Sequence, residues 1–262
     1  MSLDTQIDDH GIAHVTLNRP ERHNAFDETL IDALTQAFTR LGETPAVRAV
    51  ILSGHGKSFC AGADVSWMRR AADYTPAQNQ ADAEALSAML AAINACPKPV
   101  IARVHGAVSG GGVGLIACAD MVVAEENTVF RLSEVRLGLT PATISPFVLA
   151  KIGAAQARRF FLTAESFGPE TAQRIGLIHE TAIDRDAANA QVLHWLAHLR
   201  AAAPGAVADA KALIAAVAGQ PITPELRTET ARRIAARRAS PEGKEGLHAF
   251  LEKRSPNWSQ AD

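Results

Sequence analysis

The run Ser109-Gly110-Gly111-Gly112 constrains this chain more than any other feature. It stands between an apolar stretch, Val100 to Val108, that reads as a strand and another, Val113 to Cys118, that reads as a helix. Three glycines at such a junction let the backbone turn tightly and come close to something. The N–H groups that open a helix have no partner within it and favour a negative oxygen. A second small-residue loop, Cys60-Ala61-Gly62-Ala63-Asp64, offers the same bare backbone. Two such peptides from separate loops can form an oxyanion hole, able to hold a carbonyl oxygen as negative charge builds on it.

Around these loops strands and helices alternate. Gly11 to Leu17, Val47 to Ser53, Val100 to Val108, Met121 to Glu125 and Thr128 to Leu132 read as strands. Asp27 to Leu41 reads as an amphipathic helix, with Asp27 as N-cap and Leu30, Ile31, Leu34, Phe38 and Leu41 on its inner face. Val65 to Arg70 begins a helical turn, and Thr75-Pro76 opens a long helix that Pro97 ends. Ile144 to Ile152 and Ala154 to Thr163 are helical. The alternation predicts α/β architecture with both sheet faces covered. From about Asp184 only helical patterns remain, over 187–203, 205–218, 224–238 and 240–253. The expected division is a core over residues 1–200 and a helical C-terminal region over 201–262.

A chain of 262 residues can hold one large core or a core with an appendage. A net charge of −2 gives no support to nucleic acid or an acidic membrane as the main partner. Cys60, Cys96 and Cys118 are odd in number and lack metal-ligand spacing, which suits a reduced, cytoplasmic setting. The N-terminus carries acids rather than a basic, apolar leader, and no apolar run is long enough to span a bilayer.

Several segments, in order, resemble the enoyl-CoA hydratase/isomerase (crotonase) superfamily over nearly the whole chain. They are Asn18-Arg19-Pro20 with His23-Asn24-Ala25, Phe59 to Asp64, Pro97 to Ala102, and Gly106 with Gly110 to Gly112. Ala119-Asp120, Glu134 to Pro141, Gly176-Leu177, Glu245-Gly246 and Phe250 to Arg254 continue the series. The resemblance implies a spiral of ββα turns with a helical C-terminal region that supports a homotrimer or a dimer of trimers. It implies an acyl-CoA thioester substrate, coenzyme A being part of that substrate, and no metal or redox cofactor. Ala63 and Gly111 N–H would form the oxyanion hole. Ala61 and the segment Ala63, Asp64, Val65, Ser66 would lie along the acyl-CoA, with Trp67 and Pro141 shaping the acyl pocket. His23, Asn24 and Ala25 would lie near the CoA nucleotide, and Phe250 and Lys253 near its adenine. Trp67-Met68-Arg69, Ala102 to Gly106, Leu132 to Gly138 and Ile144 to Phe147 are most similar to bacterial methylglutaconyl-CoA hydratases and related branched enoyl-CoA hydratases of leucine or isoprenoid breakdown.

One departure bears on the chemistry. Hydratases of this family use two glutamates, one of them three residues after the oxyanion-hole glycine. Here the later one is Glu134, and the earlier position is Gly114. Two carboxylates suit hydration, one for the water and one for the proton delivered to Cα. Three readings follow. Glu134 acts alone as in double-bond isomerases; hydration persists with Gly114 leaving room for a branched acyl chain; or His105 or Ser145 substitutes. Hydration is favoured. A second carboxylate on the acyl group would need Arg69, Arg70, Arg131 or Arg136.

Other readings are weaker. The glycine run lacks dinucleotide spacing, because Leu115 stands where a third small residue belongs. Ser109, His105 and Asp120 suggest a nucleophilic triad, but no G-x-S-x-G elbow surrounds Ser109. His194 and His198 have helical spacing without a third metal ligand. The run Arg227 to Arg238 is the local support for a non-catalytic, RNA-binding or scaffold role.

Overall fold

The computed structural model describes residues 2–259. In chain order the strands are β1 (Leu3–Ile7), β2 (Ile12–Leu17), β3 (Ala49–Gly54), β4 (Val100–Val104), β5 (Ala107–Ser109), β6 (Met121–Glu125), β7 (Val129–Arg131) and β8 (Glu180–Ala182). The main sheet has the order β1-β2-β3-β4-β6-β8; β5 and β7 form a separate pair. Only β1 runs antiparallel to its neighbour.

Side chains alternate across a strand, so each face of the main sheet needs its own cover. On one face Val15, Leu17, Val50, Leu52, Ala102 and Val104 join the main core. That core is closed by α1 (Glu28–Glu43), α3 (Pro76–Ala95), α4 (Gly111–Cys118) and α5 (Ser145–Thr163). On the other face Ile12, Ile51, Ile101 and Val123 meet Ala188, Val192 and Leu196 of α7 (Arg185–Ala201). The caps follow the sequence. Asp27 accepts from Leu30 N–H at 2.9 Å and opens α1. Thr75 and Gln78 form a reciprocal capping box at α3. α1 buries the five apolar residues expected of it, and Ala37 besides. Gly153, at φ 69° and ψ 165°, divides α5 into the two helical pieces expected.

The single strand expected over Val100 to Val108 is two strands in two sheets. Gly106 stands between them at φ +58°, and a Cβ there would collide with the Lys57 carbonyl. The chain leaves the main sheet at that bend and enters the small β5–β7 pair. Apolar composition alone carries no sign of the change. β1, β8 and α6 (Pro169–Arg174) were not expected either. β1 is an edge strand with only partial burial, and the other two are too short for a period to show.

After α7 come α8 (Pro204–Val217), α9 (Pro224–Ala239) and α10 (Pro241–Leu251). Together these three helices bury a single side chain fully, that of Ala249. Ile214, Ile234, Leu247, Phe250 and Leu251 stay exposed. Among the described residues no helix is long and apolar enough to cross a membrane.

Candidate active site

The loop from Cys60 to Asp64 runs between two backbones. On one side Cys60 N–H donates to Ala107 O at 3.1 Å and Ser109 N–H to Cys60 O at 2.9 Å. On the other, Phe26 N–H donates to Gly62 O at 2.7 Å and Asp64 N–H to Phe26 O at 2.8 Å. The pairing is tight enough to require glycine. A Cβ on Gly112 would lie 2.5 Å from Cys60 O, and one on Gly62 would lie 3.0 Å from Ser109 O.

This packing sets Ala63 beside the start of α4. Phe26 takes the groups on either side of Ala63, so the Ala63 N–H points away from Phe26. Gly111 is the first residue of α4, where N–H groups have no partner inside the helix. Among the described residues neither the Ala63 nor the Gly111 N–H meets an acceptor.

Glu134 opens a single 3-10 turn, Glu134–Leu137, that ends at Gly138 with φ +72°. Its Oε1 lies 3.1 Å from where a Cβ on Gly110 would be. Gly110 itself has φ +50°. A side chain at 110 would strain that backbone and crowd the carboxyl. Glu134 Oε2 is buried and makes no hydrogen bond to any described residue. Burial pushes the carboxyl above the usual range, outweighing its own backbone N–H. An acid so held, beside two free N–H groups, can exchange protons with a substrate carbon or a water.

Gly114 does not leave the room expected for a branched acyl chain. Its Cβ would fall on Ile144 Cγ2, with Leu90 Cδ2 3.4 Å away. Ile144 is itself buried and fills the volume a glutamate would need. The proposed substitutes for that glutamate are engaged elsewhere. His105 is buried, with Nε2 2.9 Å from Gly56 O, and burial lowers its pKa. Ser145 Oγ donates to Ala142 O at 2.8 Å. Nor do Ser109, His105 and Asp120 assemble. Asp120 accepts from Val100 N–H, at the far end of β4 from His105, and pairs with Lys211 at 2.6 Å.

The expected substrate contacts divide into exposed groups and groups with structural duties. Val65 and Ser66 are exposed on α2 (Val65–Ala71). Ala61 is half-buried, and its N–H donates to His23 O. His23 is exposed, its Nδ1 3.1 Å from Ser58 Oγ. Asn24 is fully buried; Nδ2 donates to His55 O and Ser58 O, and Oδ1 accepts from Arg19 N–H, each at 2.8 Å. Ala25 is buried, as is Pro141. Asp64 is 4 % exposed and caps α2 through Ser66 and Trp67 N–H. Burial opposes its ionisation, but those two N–H groups and the charges of Arg19 and Arg22 outweigh it, so its pKa is lowered. Trp67 Nε1 donates to Asp82 Oδ1 at 3.0 Å, tying α2 to α3. Phe250 is 81 % exposed on α10, and Lys253 has φ +53° just beyond it. Of the four arginines, Arg70 donates through Nη2 to both carboxylate oxygens of Glu28, and Arg131 Nε donates to Ala164 O. Arg69 and Arg136 are exposed and, among the described residues, form no ion pair. The sequence reading overlooked Ile144 as the filler at Gly114, and Asp82 as the partner of Trp67.

Two unpartnered peptide N–H groups and a half-buried carboxyl thus lie around one glycine loop of an α/β fold. The family model for enoyl-CoA hydratase/isomerase matches residues 8–261, and the chain belongs to that family. It is 39% identical over 203 residues to the enoyl-CoA hydratase AKT6-1 of Alternaria alternata, covering 78% of this chain and 66% of that protein. The chain thus spans just under two thirds of the fungal relative's length. It is 36% identical to a Rhodobacter capsulatus protein named "Probable enoyl-CoA hydratase", covering 95% of each. The crystal structure of an enoyl-CoA hydratase from Shewanella pealeana matches with a TM-score of 0.95 at 39% identity, covering 98% of this chain and 96% of that one.

Proposed function

We propose that the protein adds water across the 2,3-double bond of an enoyl-CoA thioester, with Glu134 as the single acid/base. The observation that carries this reading is the Glu134 carboxyl, half-buried and unpartnered at Oε2, against the glycine loop that presents Gly111 N–H. The thioester oxygen accepts from Ala63 and Gly111 N–H. Glu134 takes a proton from water as the hydroxide forms its bond to Cβ, and the electron pair of the double bond moves toward the thioester to give an enolate. The same carboxyl then returns that proton to Cα. One carboxyl can serve both steps because its raised pKa brings acid and base forms closer in energy at neutral pH.

A second reading is double-bond isomerisation. The filling of the Gly114 site by Ile144 favours it, since an isomerase needs one carboxyl to carry a proton between two carbons. For the acyl group we take a branched chain such as 3-methylglutaconyl, from the resemblance of Trp67 to Arg69 and Leu132 to Gly138. Arg69 and Arg136 would be the cations for its free carboxylate. The assembly we expect is a homotrimer or a dimer of trimers, with residues 201–262 at the subunit contacts. The exposed Ile214, Ile234, Leu247, Phe250 and Leu251 support this.

The test is purified protein with 3-methylglutaconyl-CoA and crotonyl-CoA in parallel, following the ultraviolet band of the conjugated thioester, with Glu134→Gln as control. Glu134-dependent loss of the band supports hydration. No change with either, together with appearance of the band from a 3-enoyl-CoA, supports the isomerase reading.

A further inference from the structure

Arg19 takes no part in the chemistry above, yet its side chain is only 15 % exposed and meets two carboxylates and a carbonyl. Nη2 lies 2.9 Å from Asp27 Oδ2 and 3.0 Å from Asp64 Oδ2. Nη1 donates to Ala25 O. Each carboxylate has a second task with its other oxygen. Asp27 Oδ1 caps α1, and Asp64 Oδ1 accepts from Ser66 N–H at 2.7 Å to cap α2. One guanidinium therefore joins the N-termini of two helices. The segments that lead into those helices, Phe26-Asp27 and Ala63-Asp64, are the ones whose backbones pair around Ala63.

We infer that Arg19 is a positioning residue for the Ala63 N–H. It touches no substrate; it acts by locking the Phe26 and Ala63 backbones together. The inference rests on Ala63 being an oxyanion donor. A planar fork reaches two carboxylates and a carbonyl at once, which the single ammonium of lysine does not reproduce. The two carboxylates would repel each other without a cation between them. Loss of the cation would leave Asp64 buried with less compensation and free the loop to swing. A shift well under 1 Å weakens a donor whose worth lies in preorganised geometry.

The experiment uses the full chain with crotonyl-CoA, comparing wild type with Arg19→Lys, Arg19→Gln and Asp64→Asn. Asparagine keeps an acceptor for Ser66 N–H, so Asp64→Asn removes the ion pair while sparing the α2 cap. The readouts are kcat, KM and the carbonyl stretching frequency of the bound thioester by isotope-edited infrared spectroscopy. The expected result is a fall in kcat of roughly 10–10²-fold in Arg19→Gln and Asp64→Asn, less than the ~10²–10³-fold loss of a whole donor. KM should stay near wild type, and the carbonyl band should move back toward its free position. Arg19→Lys should recover only part of each, and Arg19→Gln combined with Asp64→Asn should be no worse than the poorer of those two alone. A wild-type band and kcat in Asp64→Asn would overturn the inference, even if the Arg19 variants fail to fold. So would a loss of kcat with the carbonyl band unmoved. Wild type that binds crotonyl-CoA with no carbonyl shift would instead sink the oxyanion reading, and the clamp with it.

Discussion

Ile144 occupies the position from which a side chain on Gly114 would extend. The relation explains why a second glutamate cannot simply be restored. Gly114→Glu would drive its Cβ into Ile144 and bury a carboxyl among apolar groups. Overpacking alone costs about 1–3 kcal/mol. The expected outcome is a lower denaturation midpoint with no gain in rate. Adding Ile144→Ala should recover part of the midpoint. A Gly114→Glu protein as stable as wild type would show that Ile144 moves aside freely.

Glu134→Gln should lower kcat by about 10²–10⁴-fold, the worth of a general acid/base. Burial raises the Glu134 pKa, so the limb of kcat/KM that reports its deprotonation should lie above the ~4.3 of an ordinary glutamate. A limb at or below the ordinary value would remove Glu134 from the base role.

The same shift makes a stability prediction of opposite sense. A carboxyl whose folded pKa is raised binds more protons folded than unfolded, between its two pKa values. Stability therefore falls as pH rises through that window. Glutamine carries no such charge. Glu134→Gln should be more stable than wild type at neutral pH, and the advantage should shrink as pH drops through that window and be gone below the ordinary glutamate value. Paired urea titrations at neutral and acidic pH measure it; an advantage independent of pH would contradict the desolvation account.

Gly112→Ala sets a methyl 2.5 Å from Cys60 O, backbone against side chain with little freedom to yield. The two loops must part, and with them the Ala63 and Gly111 donors. A fall in kcat of about 10²–10³-fold is expected, comparable to losing one donor. Steady-state kinetics with a circular-dichroism check of folding decides the matter, and unchanged kcat would mean the loops need not touch.

Asn24→Ala strips three hydrogen bonds from a fully buried site at φ +54°, where asparagine is better tolerated than alanine. Leaving a buried polar group unpaired costs about 1–3 kcal/mol. A clear loss of stability by urea denaturation is expected. A change within experimental error would show that water replaces the amide fully.

Local order was legible wherever one short stretch carried its own signal. Asp27 with its apolar face announced α1, and Thr75-Pro76 with Gln78 announced α3. The glycines at 110–112 and the loop at 60–64 announced close backbone approach, and the resemblance singled out Glu134. The bend at Gly106 was not legible, because the segments on both sides read as strand and a single glycine does not say which sheet each one joins. Nor was the role of Ile144, which lies thirty positions from Gly114 and meets it only where α5 crosses α4.

The sequence by itself determined which segments become helix or strand, where backbone is bare, and which carboxyl follows the glycine loop. Those properties are set by near neighbours, through capping, periodicity and the absence of a Cβ. The tertiary structure decided that Arg19 joins two distant caps, that His105, Ser145 and Asp64 are already occupied, and that the Gly114 site is closed. Those are facts of contact between residues far apart in the chain, and such contacts exist only once the core has packed.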